Sequence, residues 1–192
     1  MRKNVTGRRL GFAVAALALA ATGLAGTAGT AAADTTVRTV VGPEMKAGET
    51  SYAQCPTGTQ LIGGGYAANG VFANNGDLLD TVDVSAPSAY RQGAWAAQVH
   101  NGTIRAYALC DSASAPTKAV AGPSVDSSQT SYAQCPENTS LISGGFVMSP
   151  SYSYGGAAYD MIEVNAPSQY RQNAWAAKAA SGYAAAYALC RS

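Results

Sequence analysis

Between Ala97 and Ala108 apolar and polar side chains alternate with the two-residue period of a β-strand, and the alternation breaks once, at Asn101-Gly102. Trp95, Ala97 and Val99 precede the break, and Ile104, Ala106, Ala108 and Cys110 follow it. Gln98, His100, Thr103, Arg105 and Tyr107 occupy the opposite face. Asn-Gly between two such runs is the signature of a two-residue type I′ turn. The pattern therefore predicts a hairpin in which Val99 faces Ile104, Ala97 faces Ala106 and Trp95 faces Ala108. One face of that ribbon is wholly apolar, as a half-buried sheet requires. Shorter runs over 50–55 and 61–67, around the turn Pro56-Thr57-Gly58, and over 81–84, before Pro87, read as further strands.

The same pattern recurs at a fixed offset of 80 residues without a gap. Ser51-Tyr52-Ala53-Gln54-Cys55-Pro56 returns at Ser131–Pro136, Tyr90-Arg91-Gln92 and Trp95 return as Tyr170-Arg171-Gln172 and Trp175, and Ala106–Cys110 returns at Ala186–Cys190. Such self-similarity marks a tandem duplication. Read alone, the Ala-rich stretch 173–180 favours a helix by propensity. Its gap-free register with the first copy predicts instead a hairpin through Ser181-Gly182, because tertiary context overrides propensity. The expected fold is all-β: two tandem, disulfide-stapled, sandwich-like units of five or six strands each. The units span 34–112 and 117–192, joined by the short linker 113–116, which is too short to keep them apart. Between Tyr66 and Leu79, and between Gln98 and Arg105, the copies diverge, which marks those stretches as loops or exposed edges.

The N-terminal segment changes the picture. Arg2, Lys3, Arg8 and Arg9 precede an uncharged, Ala-rich run that ends at Ala31-Ala32-Ala33. This is the order of a secretory signal peptide, with cleavage expected after Ala33. The run falls short of the ~20 apolar residues that a span requires, and no later segment approaches it. Arg8-Arg9 leaves the choice between the general secretory and twin-arginine routes open. Without residues 1–33 the chain holds 8 Lys and Arg against 11 Asp and Glu. A mature chain of that charge lacks the basic clusters that nucleic-acid binding needs.

All four cysteines lie in the exported part, one pair per repeat at the same spacing. In an oxidising compartment disulfides are the default, and the repeat selects Cys55–Cys110 and Cys135–Cys190 among the three connectivities. A metal site is the rival reading, but the chain has no C-x-x-C and a single histidine.

Cys55-Pro56-Thr57-Gly58-Thr59, Gly63-Gly64-Gly65, Ala94-Trp95 and Ala106-Tyr107-Ala108-Leu109-Cys110 together resemble a pattern found in small exported actinobacterial proteins, C-P-x-G-T…G-G-G…W…A-Y-A-x-C. Both repeats are covered, the second departing at Glu137-Asn138 and at Ser143. The resemblance implies export and a β-rich disulfide module, and it implies no substrate, cofactor or activity.

Few residues carry a chemical signature. His100, the sole histidine, is expected at an exposed turn, and its counterpart is Ala180. No G-x-S-x-G or H-E-x-x-H motif accompanies it. Asp77, Asp80 and Asp83 follow Asn74-Asn75-Gly76 without the spacing of a calcium loop, and a step of three along a strand sends neighbouring carboxylates to opposite faces. Tyr90, Arg91 and Gln92, with Tyr170, Arg171 and Gln172, are the best candidates for binding, since an Arg fork beside an amphipathic Tyr suits a carboxylate or a sugar. The competing role for Arg91 and Arg171 is to pair with Asp80 and Asp160 and lock the loop. Tyr152, Tyr154 and Tyr159, set among Ser and Gly, have the composition of a recognition loop. These features point to a secreted, non-catalytic, two-repeat module that binds a cell-envelope glycan or an extracellular protein, with no metal or cofactor. A structural surface or coat protein, motivated by the low charged content of 12%, an inhibitor of an extracellular enzyme, and a hydrolase are the alternatives.

Overall fold

The computed structural model describes residues 36–69, 82–149 and 162–192, and every regular element in them is a β-strand. The first repeat holds β1 (Val37–Val41), β2 (Met45–Lys46), β3 (Thr50–Gln54), β4 (Gln60–Asn69), β5 (Val82–Pro87), β6 (Ala94–Val99) and β7 (Thr103–Asp111). The second holds their counterparts: β8 (Thr117–Ala121), β9 (Val125–Asp126), β10 (Ser131–Gln134), β11 (Ser140–Ser149), β12 (Ile162–Pro167), β13 (Ala174–Ala179) and β14 (Tyr183–Arg191). Seven strands per repeat exceed the expected five or six because β2 and β9 are held against β7 and β14 by only two residue pairs each. Among the described residues no helix is long and apolar enough to cross a membrane.

Each repeat is a sandwich of two antiparallel layers. In the first, β7 pairs with β1 and β2 along one edge and with β4 along the other, while the facing layer runs β3-β6-β5. The second repeats this with β14 between β8/β9 and β11, opposite β10-β13-β12. The Ala-rich stretch in the second copy is a strand, β13, rather than a helix, but it pairs with β10 and β12 and not with β14, so the expected hairpin through Ser181-Gly182 is overturned. The expected β6–β7 hairpin is overturned. β6 pairs with β3 and β5, and β7 with strands of the other layer, so the connection arches across the core. Alternation dictates which face of a strand is buried but not which strand lies beside it, and both arrangements bury Trp95, Ala97 and Val99 opposite Ile104, Ala106 and Ala108. The turn also departs from type I′. That turn needs positive φ at both central residues, whereas only Gly102 has it (φ +83°) and Asn101 does not.

The core between the layers is thin, filled largely by fully buried alanines around one tryptophan. Trp95 fits because Gly64 leaves room: a Cβ there would lie 2.4 Å from the ring, and Gly144 stands in the same relation to Trp175 at 2.3 Å. A core of small side chains buries little apolar area per residue, so covalent and polar clips between the layers matter more. Cys55–Cys110 and Cys135–Cys190 are bonded as predicted, each joining the end of the β3-type strand to the β7-type strand at a Cα separation of 5.6 Å. Closing a loop of 55 residues stabilises a fold by about 4 kcal/mol in the chain-entropy model. Ser51 supplies a polar clip. It is fully buried, donates from Oγ to the Pro43 carbonyl (2.6 Å) and accepts from Ala106 N (2.9 Å). Ser131 repeats both bonds with Pro123 and Ala186.

The repeats share a sheet. β5 crosses β11 in antiparallel pairing at Ser85↔Phe146 and Val84↔Val147, which continues β3-β6-β5 into β11-β14-β8 as seven strands, β9 included. Past the linker, Thr117 donates from Oγ1 to the Leu61 carbonyl (2.9 Å) and from N to Gln60 Oε1 (3.3 Å). Thr35–Ser192 accordingly forms one compact unit.

A pair of equivalent grooves as the candidate functional site

The hairpin that does form is β5–β6, and its loop is locked identically in both repeats. Ser88 Oγ accepts from the backbone N–H groups of Tyr90 (3.2 Å) and Arg91 (3.0 Å), and Ser88 N donates to the Ala94 carbonyl (2.8 Å). Gly93 takes φ +74°, and its carbonyl accepts from Cys55 N (2.9 Å). Gln54 Nε2 donates to the Gln92 carbonyl (2.9 Å), and the Arg91 guanidinium lies 4.0 Å over the Tyr52 ring. In the second repeat Ser168, Gln134 and Cys135 make the matching bonds, and Arg171 lies 4.2 Å over Tyr132. Such a cation–π contact at an exposed site contributes about 0.5–1 kcal/mol. It explains why S-Y-A-Q-C and Y-R-Q recur together: the first motif builds the seat for the second.

With Arg91 and Arg171 in this stack, the aromatic side chains that the loops leave facing outward are the tyrosines. Tyr90 is 90% exposed and Tyr170 is 79% exposed. Each stands at the rim of a groove on the outer face of its sheet. The first groove, about 210 Å³, is floored by Ala86, Pro87 and Ala96 and edged by Thr50, Ser88 and Gln98. The second, about 310 Å³, is lined by the counterparts Ala166, Pro167, Ala176, Thr130 and Ser168, with Tyr132 and Tyr170. Val147 and Tyr187 of the second repeat wall the first groove, whereas no residue of the first repeat lines the second. Burial, and then the nearby Tyr90 phenol, raise the pKa of Tyr187 above the ordinary 10.0.

Of the residues singled out by sequence, Tyr90 and Tyr170 flank the grooves. Arg91 and Arg171 serve their loops, and Gln92 lines a separate cleft of about 360 Å³ with Ser88, Ala89, Lys118 and Ala119. Asp77, Asp80, Asp160, Tyr152, Tyr154, Tyr159 and the N-terminal segment 1–33 lie outside the described residues. His100 departs from expectation. It is half-buried rather than exposed, with Nδ1 2.7 Å from Oδ1 of Asp83, a carboxylate at the bulge between Val82 and Val84. In the second repeat the corresponding bulge carboxylate, Glu163, pairs instead with Lys178 Nζ at 2.6 Å. What the repeats share is thus a side-chain pair between a bulge carboxylate and the next strand rather than a histidine. Among the described residues no group of three or more His, Cys, Asp or Glu can hold a metal ion. Tyr52, Tyr132 and Tyr187 are the site residues that sequence reasoning passed over. The first two had a signal, since both copies keep the Tyr together with its Arg.

No protein-family model matches this chain, and no curated protein shows a significant match to it.

Proposed function

We propose that the protein is an exported, non-catalytic module with two binding sites, one groove per repeat, that takes a cell-envelope glycan. One observation carries this reading: the same tyrosine, on the same locked turn, is left almost fully in water beside the same groove in both repeats. Keeping a ring of that size exposed forgoes roughly 2 kcal/mol of burial, and a ligand that covers it recovers that free energy. A Tyr face stacks on the flat C–H face of a sugar, and Thr50, Ser88 and Gln98 offer hydroxyl and amide partners at the rim of the groove. Two sites on one rigid body gain avidity toward a polymer. The two disulfides and the signal-like N-terminus support an oxidising destination. An extracellular protein as ligand is the second reading, favoured by the apolar floor of Ala86, Pro87 and Ala96.

The test is titration of the mature chain with purified cell-envelope polysaccharides, followed by Tyr90→Ala and Tyr170→Ala. Each single variant is expected to weaken binding about 5–10-fold, the equivalent of about 1–1.4 kcal/mol, and the double variant by more than the product if one polymer engages both sites. Undiminished affinity in the double variant would remove the grooves from the function. Binding to protein extracts but to no polysaccharide would replace the glycan with the second reading.

A further inference from the structure

The loop between β5 and β6 in the first repeat is a ridge with a hollow on either side. Ser88 and Ala89 line both the first groove and the cleft of about 360 Å³ that Gln92, Lys118 and Ala119 complete. Tyr90 stands on the groove side and Gln92 on the cleft side, and Arg91 lies between them in the chain. Lys118 belongs to β8, so the second repeat supplies the far wall of the cleft.

The charges on this ridge are of one sign. Stacking over Tyr52 and Tyr132 occupies the flat face of each guanidinium and leaves its N–H edge for a further partner. Arg91, Arg171 and Lys118 are all exposed. Among the described residues neither guanidinium meets a carboxylate, and the Lys118 ammonium has no acidic partner either. No Asp or Glu lines the two grooves or the cleft, although acidic residues outnumber basic ones 11 to 8 in the mature chain. A surface that is acidic on balance thus keeps its carboxylates out of these hollows, which leaves the local field positive. The second repeat holds less of the arrangement. Arg171 repeats the stack, but Lys178, at the place of Gln98, is already bonded to Glu163 at 2.6 Å.

From this distribution we infer that the ligand of the grooves is an anionic glycan, one that carries carboxylates or phosphodiesters along its chain. The first repeat reads two of its charges, with Arg91 and Lys118, where the second reads one, with Arg171. The inference rests on the glycan reading above and names the class of glycan. A guanidinium edge takes the paired oxygens of a carboxylate or phosphate through two parallel N–H···O bonds. Lys118 acts as a point charge on the far side of the ridge, with the Gln92 amide beside it in the cleft as a neutral donor. A chain laid over the ridge from groove to cleft passes Tyr90, whose ring takes a sugar face while the cations take the charges around it.

The experiment is calorimetric titration of the mature chain with polygalacturonate and with its methyl ester, the same backbone without the charge. The acid is expected to bind at least about 10-fold tighter than the ester at about 50 mM NaCl, and the gap should close at about 500 mM as salt screens exposed charges. Arg91→Gln and Lys118→Gln should each weaken binding of the acid about 5-fold and leave the ester unchanged, the range of a well-formed exposed ion pair. A glycerol-phosphate polymer run in parallel tells phosphodiester from carboxylate, and a preference for either over the ester supports the inference. An ester bound as tightly as the acid, or a Lys118→Gln protein that binds the acid like the wild type, overturns it. If the ester still binds and Tyr90→Ala with Tyr170→Ala abolishes that binding, the glycan reading stands and only the anion is discarded. Failure of all three polymers to bind discards both. If Arg91→Gln fails to fold, the salt dependence of the wild type and the behaviour of Lys118→Gln still decide it.

Discussion

Gly65 and Gly145 occupy the same place in the two repeats, yet one faces open space and the other the backbone of β5. The strand that crosses Gly145 and its counterpart make the same contrast, β5 being largely buried and β12 exposed or half-buried. Duplicated sequence has produced duplicated sandwiches but not duplicated surroundings, since the first repeat lends an edge that the second cannot lend back. A residue's cost of substitution in this protein therefore depends less on its identity than on which repeat holds it.

The sharpest way to break that comparison is to add the same side chain to both glycines. Gly145→Val forces the β5 backbone away and is expected to destabilise the fold by about 3 kcal/mol or more, the range of severe overpacking. Gly65→Val is expected to leave monomer stability within about 0.5 kcal/mol, because the site is empty and branched side chains suit strands. Urea unfolding of the two variants, read at equal protein concentration, measures the gap. Equal losses would show that the contact of β5 with β11 does not hold the repeats together.

A second pair sharpens the comparison at the loop. Gly93 (φ +74°) is replaced in repeat 2 by Asn173 (φ +57°), and Gly58 (φ +82°) by Asn138 (φ +62°). Asparagine is among the few residues that tolerate this region. Asn173 also does what Gly93 cannot: its Oδ1 accepts from Leu141 N (2.6 Å) and its Nδ2 donates to the Thr139 carbonyl (2.8 Å). Gly93→Ala should cost about 1 kcal/mol in backbone strain. Asn173→Ala adds the loss of two partly buried backbone partners and should cost about 2–3 kcal/mol. Thermal unfolding of the two variants checks the order, and an Asn173→Ala loss no larger than that of Gly93→Ala would mean those bonds contribute little.

The paired Gly-to-Asn changes also show what could be read without coordinates. Exchange of Gly for Asn at matched positions is a left-handed backbone written in the sequence itself. The inward faces of β6 and β7 were likewise legible, as were the disulfides, because periodicity and equal spacing encode burial and pairing within a repeat. Strand neighbours were not. Trp95, Ala97 and Val99 bury the same atoms whether β7 lies beside them or across the core, so the alternation is silent on the choice. The β4 pairing that settles it comes from residues more than thirty positions away. His100 was misplaced for the same reason, since its partner Asp83 lies on the neighbouring strand β5 rather than across the turn. The grooves were half legible. Tyr90 and Tyr170 stand where an outward-facing site needs them, but only the fold places Arg91 on Tyr52.

The smallest effect concerns the wall that repeat 2 contributes to the first groove. Burial, with a smaller contribution from Tyr90, raises the pKa of Tyr187 above 10.0, so the folded state holds that proton more tightly than the unfolded chain does. Below pH 10 both states are protonated and Tyr187 contributes no pH dependence. As pH climbs past 10, the unfolded chain releases the proton first, and stability falls until the folded phenol also ionises. Tyr187→Phe removes that part of the decline while keeping the ring that walls the groove. The difference in melting temperature between wild type and Tyr187→Phe should be flat from pH 7 to 9 and shift in favour of the variant above pH 10. All other ionisable groups are the same in both proteins, so the difference isolates Tyr187 together with its interaction with Tyr90. A flat difference up to pH 11 would mean the phenol stands in water and that repeat 2 does not close the groove of repeat 1 at this point.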